Sequence, residues 1–176
     1  MYKTKYVWFK IFYMHIKLIN KKLIFGNYKI KCAVGKRGIT SFKKEGDKST
    51  PKGNYCFKSL LYRRDRVPNI KTDLKKIIIK KNMGWCDDPQ SKSYNKLIII
   101  PNKFRFERLY KKENMYDIIL VIDYNLNPTI KNKGSAIFLH IAKRNYSPTA
   151  GCIAVSKKDM HLILTCINKK TKIKIY

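Results

Sequence analysis

Apolar and polar positions alternate along much of this chain with the two-residue period of β-strands. Between Tyr28 and Val34, Tyr28, Ile30, Cys32 and Val34 fall on one face and Lys29 and Lys31 on the other, which predicts a half-buried strand. Gly35-Lys36-Arg37-Gly38 ends it in a turn. A polar loop follows, carrying Lys44-Glu45-Gly46-Asp47 and Thr50-Pro51-Lys52-Gly53. The extended pattern resumes from Tyr55 to Tyr62 and stops at the charged run Arg63-Arg64-Asp65-Arg66. Ile77-Ile78-Ile79 and Leu97-Ile98-Ile99-Ile100 are β-branched runs, expected as strands buried on both faces, with Gly84-Trp85-Cys86-Asp87-Asp88-Pro89 as a loop between them. Residues 105–112 are expected as a short helix with a stripe of Phe106, Leu109 and Tyr110.

Two further strands are expected, from Ile118 to Tyr124 and from Ala136 to Ile141, the second placing Ala136, Phe138 and His140 on one face. After Ile153-Ala154-Val155 the period changes. Met160, Ile163, Leu164 and Ile167 recur at helical spacing, and Ser156 three places before Asp159 resembles a capping box. Lys172 to Tyr176 alternates again as a closing strand. The pattern therefore predicts a mainly β domain with only two helices, the short one over 105–112 and the C-terminal one, and no internal repeat.

Composition narrows this picture. A chain of 176 residues, 44% hydrophobic, suits one domain with a real core. The expected division is a basic, aromatic N-terminal extension over residues 1–25 and a folded domain over 26–176. Apolar stretches in the extension are interrupted by Lys5, Lys10, Lys17, Lys21 and Lys22, too often for a segment crossing a bilayer, and no standard signal cleavage site follows. An interfacial membrane contact is one reading of it; a poorly ordered arm is the other. Forty Lys+Arg against eleven Asp+Glu give a net charge of +29, which favours polyanionic surroundings: nucleic acid, anionic lipid or an acidic wall polymer. The lysines are spread along the whole chain, so charge alone names no specific nucleic-acid partner. Cys32, Cys56, Cys86, Cys152 and Cys166 show no CxxC pair and no zinc spacing, and no metal site is expected.

Candidate chemistry concentrates between Ser135 and Val155. The apolar run Ala136-Ile137-Phe138-Leu139 delivers His140, and Gly151-Cys152 follows twelve positions after the histidine. A thiol is a useful nucleophile as thiolate, and an imidazole is the usual acceptor of its proton. The preceding glycine lets the backbone turn sharply and present amides to an oxyanion. By themselves a strand histidine and a buried thiol fit an inert core better than a catalytic pair.

The wider pattern resembles the L,D-transpeptidase catalytic domain, the YkuD-like family of peptidoglycan-remodelling enzymes. The similarity is carried by Val34-Gly35, Glu45-Gly46-Asp47, Thr50-Pro51-Lys52-Gly53, Trp85-Cys86-Asp87-Asp88-Pro89 with Tyr94-Asn95, Gly134 to His140, Pro148 to Cys152, and Asp159. It implies a mixed-sheet β-sandwich with the C-terminal helix flanking it. It further implies that Cys152 is the nucleophile, His140 its base, oriented by the Ile141 main chain, and Gly151 and Cys152 the source of oxyanion amides. The implied substrate is a peptidoglycan stem peptide, joined through a thioester acyl-enzyme into 3-3 cross-links, with no cofactor, in the periplasm or cell envelope, by a monomer. Hydrolysis of the same stems, as an L,D-carboxypeptidase, shares the acyl-enzyme; a non-catalytic basic protein held to nucleic acid or cell wall is the alternative from another class.

Three positions depart from the family pattern. Ile141 stands where glycine often follows the histidine, Thr149-Ala150 where Ser-His often precede Gly-Cys, and Ala154 where an arginine is expected two places after the cysteine. Arg144, or a lysine, is the expected replacement anchor. Trp85, Arg144 and Thr149 are the expected substrate contacts, although Trp85 fits packing equally well. Asp159 reads as a helix-start residue, Asp87 and Asp88 as turn formers, Cys86 as incidental, and His15 and His161 as outside any constellation.

Overall fold

The computed structural model describes residues 15–176. It is mainly β, built on a mixed, nearly closed sheet with one C-terminal helix. The described residues begin with three short strands joined by tight turns: β1 (Ile16–Ile19), β2 (Lys22–Phe25) and β3 (Tyr28–Lys31). Two-residue strands β4 (Ile39–Thr40) and β5 (Thr50–Pro51) pair with each other and lead into the long β6 (Gly53–Tyr62). Then come β7 (Lys76–Ile78), β8 (Met83–Cys86), β9 (Leu97–Ile99) and β10 (Phe106–Arg108). A 3-10 turn at Asn114–Tyr116 precedes β11 (Ile118–Ile122), β12 (Phe138–Ile141), β13 (Ile153–Val155), the helix α1 (Lys157–Cys166) and β14 (Lys172–Ile175).

The main sheet runs β13-β12-β11-β6-β14-β1-β2-β3, with β7 also on β6. Strand β6 is long enough to serve two neighbourhoods. Its first residues pair with β14, and its later ones pair with β11 on one side and β7 on the other. The ends of the sheet then meet: Ala33, just past β3, exchanges both backbone hydrogen bonds with Ala154 of β13 at 2.8 and 2.9 Å. That closure leaves few backbone groups unpaired at the sheet edges. A separate sheet, β10-β8-β9, lies outside the main one.

Alternation explains the two cores. Leu139 and Ile141 of β12 enter the large core with Ile118, Leu120, Ile153, Val155 and the α1 residues Met160, Ile163 and Leu164. Phe138 on the opposite face joins a second core with Ile119, Val121, Trp85, Leu109 and Tyr116, and Cys152 packs against it. Helix α1 starts as the sequence predicts: the Ser156 hydroxyl accepts the Asp159 amide at 3.0 Å and donates to the Asp159 carboxylate at 2.6 Å.

Several expectations are corrected. Residues 16–25 are not part of an extension, because Ile16, Leu18, Leu23 and Phe25 are buried in the large core, the lysines between them pointing outward. The remainder of the expected extension, up to residue 14, lies outside the described residues. Residues 105–112 do not form a helix; β10 pairs antiparallel with β8, which satisfies its backbone across the sheet. Residues 83–86 are likewise strand rather than loop. The runs at 77–79 and 97–100 are not buried on both faces, since Ile78 and Ile99 are 37% and 58% exposed on edge strands. No helix among the described residues is long and apolar enough to cross a membrane.

Candidate active site

Strand β12 carries His140 into the second core, where it is 3% exposed and meets the Tyr116 ring edge-on at 5.3 Å between centroids. Its Nδ1 lies 2.9 Å from the Ile141 carbonyl oxygen. A carbonyl can only accept, so Nδ1 carries the proton and Nε2 is left as the basic nitrogen. Burial drives the histidine pKa down to about 4, against the raising effects of the Ile141 carbonyl and the Glu107 carboxylate.

Cys152 sits on the turn before β13, half-buried against the same core. Its Sγ donates to the Ala136 carbonyl at 3.0 Å. Burial pushes the thiol up to about 12, with Glu107 adding to the rise and Lys43 and Lys111 opposing it. The resting site therefore holds a neutral thiol and a neutral imidazole at pH 7. All five cysteines are free thiols.

Three features fix the turn that carries Cys152. Gly151 has φ +143°, and a Cβ there would stand 2.9 Å from the Ser49 carbonyl oxygen, so glycine is required. The Thr50 hydroxyl accepts the Gly35 amide and donates to the Gly151 carbonyl, both at 2.9 Å. Thr149 Oγ1 accepts the Gly151 amide at 3.1 Å and donates to the Cys152 carbonyl at 2.6 Å. The Gly151 amide is thus already engaged, whereas the Cys152 amide has no acceptor among the described residues.

The opposite wall rests on Asn95, which is 1% exposed. Its Oδ1 accepts Trp85 Nε1 at 2.9 Å and the Ala136 amide at 3.0 Å, while its Nδ2 donates to the carbonyls of Tyr124 and Asn125. Ala136 adopts φ +52°, a left-handed conformation unusual for alanine, instead of continuing β12 as the sequence pattern suggests.

Two cavities share the walls Glu107, Tyr116, Ala150 and Cys152. One, of about 270 Å³, is charged in both senses by Lys43, Glu45, Lys48, Asp87, Arg105 and Glu107. The other, of about 210 Å³, is lined by His140, Met115, Lys143, Thr149 and Ala154. Ala154 is the register partner of His140 on the neighbouring strand, so the missing arginine side chain leaves space beside the imidazole. Strand β10 puts Glu107 in both cavities, where it pairs with Lys111 at 2.5 Å.

His140, Cys152 and Thr149 therefore meet around one cavity. Trp85 does not join them: it is buried in the core, edge-on to Phe138 at 5.1 Å. Arg144 is exposed and lines neither cavity, and the basic side chain in the histidine-side cavity is that of Lys143, one residue earlier. Asp87 reaches the charged cavity in an ion pair with Arg105 at 3.1 Å, and Asp88 accepts the Gln90 amide in a turn. Asn95, Ala136, Thr50 and Glu107 carried no functional signal of their own in the sequence; only Tyr94-Asn95, Thr50 and Ala136 lay within stretches of family likeness.

A thiol and an imidazole thus line one cavity at the side of a nearly closed mixed sheet. The L,D-transpeptidase catalytic domain family model, YkuD, matches residues 12–175. The chain belongs to that family, whose enzymes act on peptidoglycan. No curated protein matches the chain by sequence.

Proposed function

We propose that this protein is a cysteine-dependent L,D-transpeptidase of the cell envelope that joins peptidoglycan stem peptides through a thioester on Cys152. The reading is carried by one observation: the His140 Nδ1 contact with the Ile141 carbonyl leaves Nε2 basic in the cavity that Cys152 also lines.

In the acylation step, Cys152 Sγ attacks the carbonyl of the stem's third residue while His140 Nε2 takes the thiol proton. The carbonyl oxygen becomes an oxyanion, received by the uncommitted Cys152 amide. Collapse breaks the amide bond, and His140 returns its proton to the departing amine of the terminal residue. In the second step the amine of another stem attacks the thioester, losing a proton to His140, and the Cys152 thiol re-forms.

Both groups rest neutral, so no thiolate-imidazolium pair waits in the free enzyme. Proton transfer then accompanies attack on a bound stem. Lys143 lines the same cavity as Ala154 and serves as the anchor for the stem's carboxylate, in place of Arg144. The mixed charges of the other cavity suit a stem bearing both amine and carboxylate groups.

Chromatography of muropeptides after incubation with purified protein tests the reaction. Linked dimers are the expected product. Release of the terminal residue without dimers assigns hydrolysis instead, and neither product removes the enzymatic reading.

A further inference from the structure

The sheet formed by β3, β2, β1 and β14 has one face in the large core and one face in solvent. The solvent face carries Lys17, Lys22, Lys29, Lys31, Lys172 and Lys174, all exposed. None of these four strands contains a carboxylate. Register puts like charges side by side: Lys17 opposes Lys174, and Lys22 opposes Lys31. Lys29 lies in the same row as Lys17, two strands over, with Ile24 between them. Directly opposed like charges destabilise a sheet, and none of these lysines takes part in an ion pair among the described residues. The face presents uncompensated positive charge that anions from outside can neutralise.

Lys31 also leads off the sheet. It lines a separate pocket of about 290 Å³ with Lys21, Lys36, Asn145, Tyr146 and Pro148, and its Nζ stands 4.7 Å over the Tyr146 ring. No acidic side chain lines that pocket. Its Pro148 wall is shared with the cavity that holds His140 and Cys152. Backbone bonds from Thr149 to Val34 and from Lys36 to Thr149, at 3.0 and 2.9 Å, tie the pocket rim to the catalytic turn.

We infer that the lysine face and this pocket form one continuous docking track for a linear phosphodiester polymer carried on the same wall strands as the peptide substrate. Lysine ammonium groups act as point charges suited to successive phosphates. The track runs from the outer face of the nearly closed sheet into a pocket, a path that a thread-like polyanion follows and a planar bilayer does not. It ends at the catalytic turn, which favours a polymer of the wall over nucleic acid. This assignment of the polymer rests on the proposed wall substrate; the binding itself does not need catalysis.

The test uses the full chain with oligomeric polyglycerol phosphate as probe, and oligo-dT of equal charge beside it, with binding followed by fluorescence anisotropy. Affinity for polyglycerol phosphate is expected to fall about tenfold or more between about 50 and 200 mM salt. The variant Lys17→Gln/Lys31→Gln/Lys174→Gln is expected to raise Kd about tenfold or more, while Lys71→Gln/Lys75→Gln/Lys80→Gln, with the same charge removed elsewhere, stays within about twofold. Melting temperatures verify that both variants fold. Cys152→Ala is expected to bind like the parent, which separates this inference from the proposed reaction. Equal loss in both lysine variants, or no binding of polyglycerol phosphate, overturns the track. Tighter binding of oligo-dT with the same residue dependence assigns it to nucleic acid and overturns the wall polymer.

Discussion

The Asn95 side-chain oxygen holds the Ala136 amide at 3.0 Å, and the Ala136 carbonyl in turn holds the Cys152 thiol at 3.0 Å. A buried amide 41 residues away from the turn it braces thus sets the resting position of the nucleophile. Asn95→Ala would leave Trp85 Nε1 and the Ala136 amide without an acceptor, at a cost of roughly 1–3 kcal/mol for each buried group. The expected outcome is a lower denaturation midpoint and a fall in kcat larger than the change in KM. Unchanged kcat in the folded variant would show that the brace does not position the thiol.

His140 gives a pH signature of stability. Its pKa is lowered by burial from 6.5 to about 4, so in the unfolded chain it takes up a proton before the folded protein does. Its contribution is full above about pH 6.5, declines as pH falls toward 4, and amounts to roughly 3 kcal/mol over that window. Denaturant titrations at several pH values should show a shallower acid-side decline for His140→Gln than for the parent, since other titrating groups are common to both. The same buried imidazole should place the acidic limb of kcat/KM below about pH 5.

Gly151 is predicted to tolerate no side chain. In Gly151→Ala the methyl group meets the Ser49 carbonyl in a backbone conformation that alanine avoids, which costs roughly 1–3 kcal/mol. Urea unfolding measures that loss. Activity should fall further than stability explains, because the turn also orients the Cys152 amide.

Lys143 and Arg144 separate cleanly by mutation. Lys143→Ala should raise KM for the donor stem about tenfold or more, as for loss of a charge-assisted hydrogen bond, with kcat less affected. Arg144→Ala, at an exposed position outside both cavities, should leave KM within about twofold. The reverse result would place the anchor where the sequence comparison first suggested.

Strand period made much of the fold legible: Lys172 to Ile175 alternate on a stretch of sheet with one exposed face, and Ile118 to Ile122 form a continuous apolar run buried on both faces. Ambiguity arose where a short segment fits two periods: Phe106, Leu109 and Tyr110 satisfy a helical stripe, yet pairing with β8 decides for a strand. Lysines hid β1 and β2 because they interrupt an apolar run, although Ile16, Leu18, Leu23 and Phe25 keep strand spacing. His140 and Cys152 stood out as an imidazole and a thiol beside a glycine, family likeness turned them toward chemistry, and their shared cavity is a tertiary fact. The Trp85 and Arg144 expectations failed to match their positions for one reason: which side a residue faces depends on pairing partners far along the chain. Asn95, Thr50 and Glu107 act through contacts of that kind and left no local trace.

The most direct test of the central claim is intact-mass spectrometry of the protein mixed with a tetrapeptide stem. A single adduct of the tripeptide acyl group is expected, mapping to Cys152 and absent from Cys152→Ala, with slower formation in His140→Gln. No adduct and no product, or an adduct that persists in Cys152→Ala, would contradict acyl transfer through this thiol.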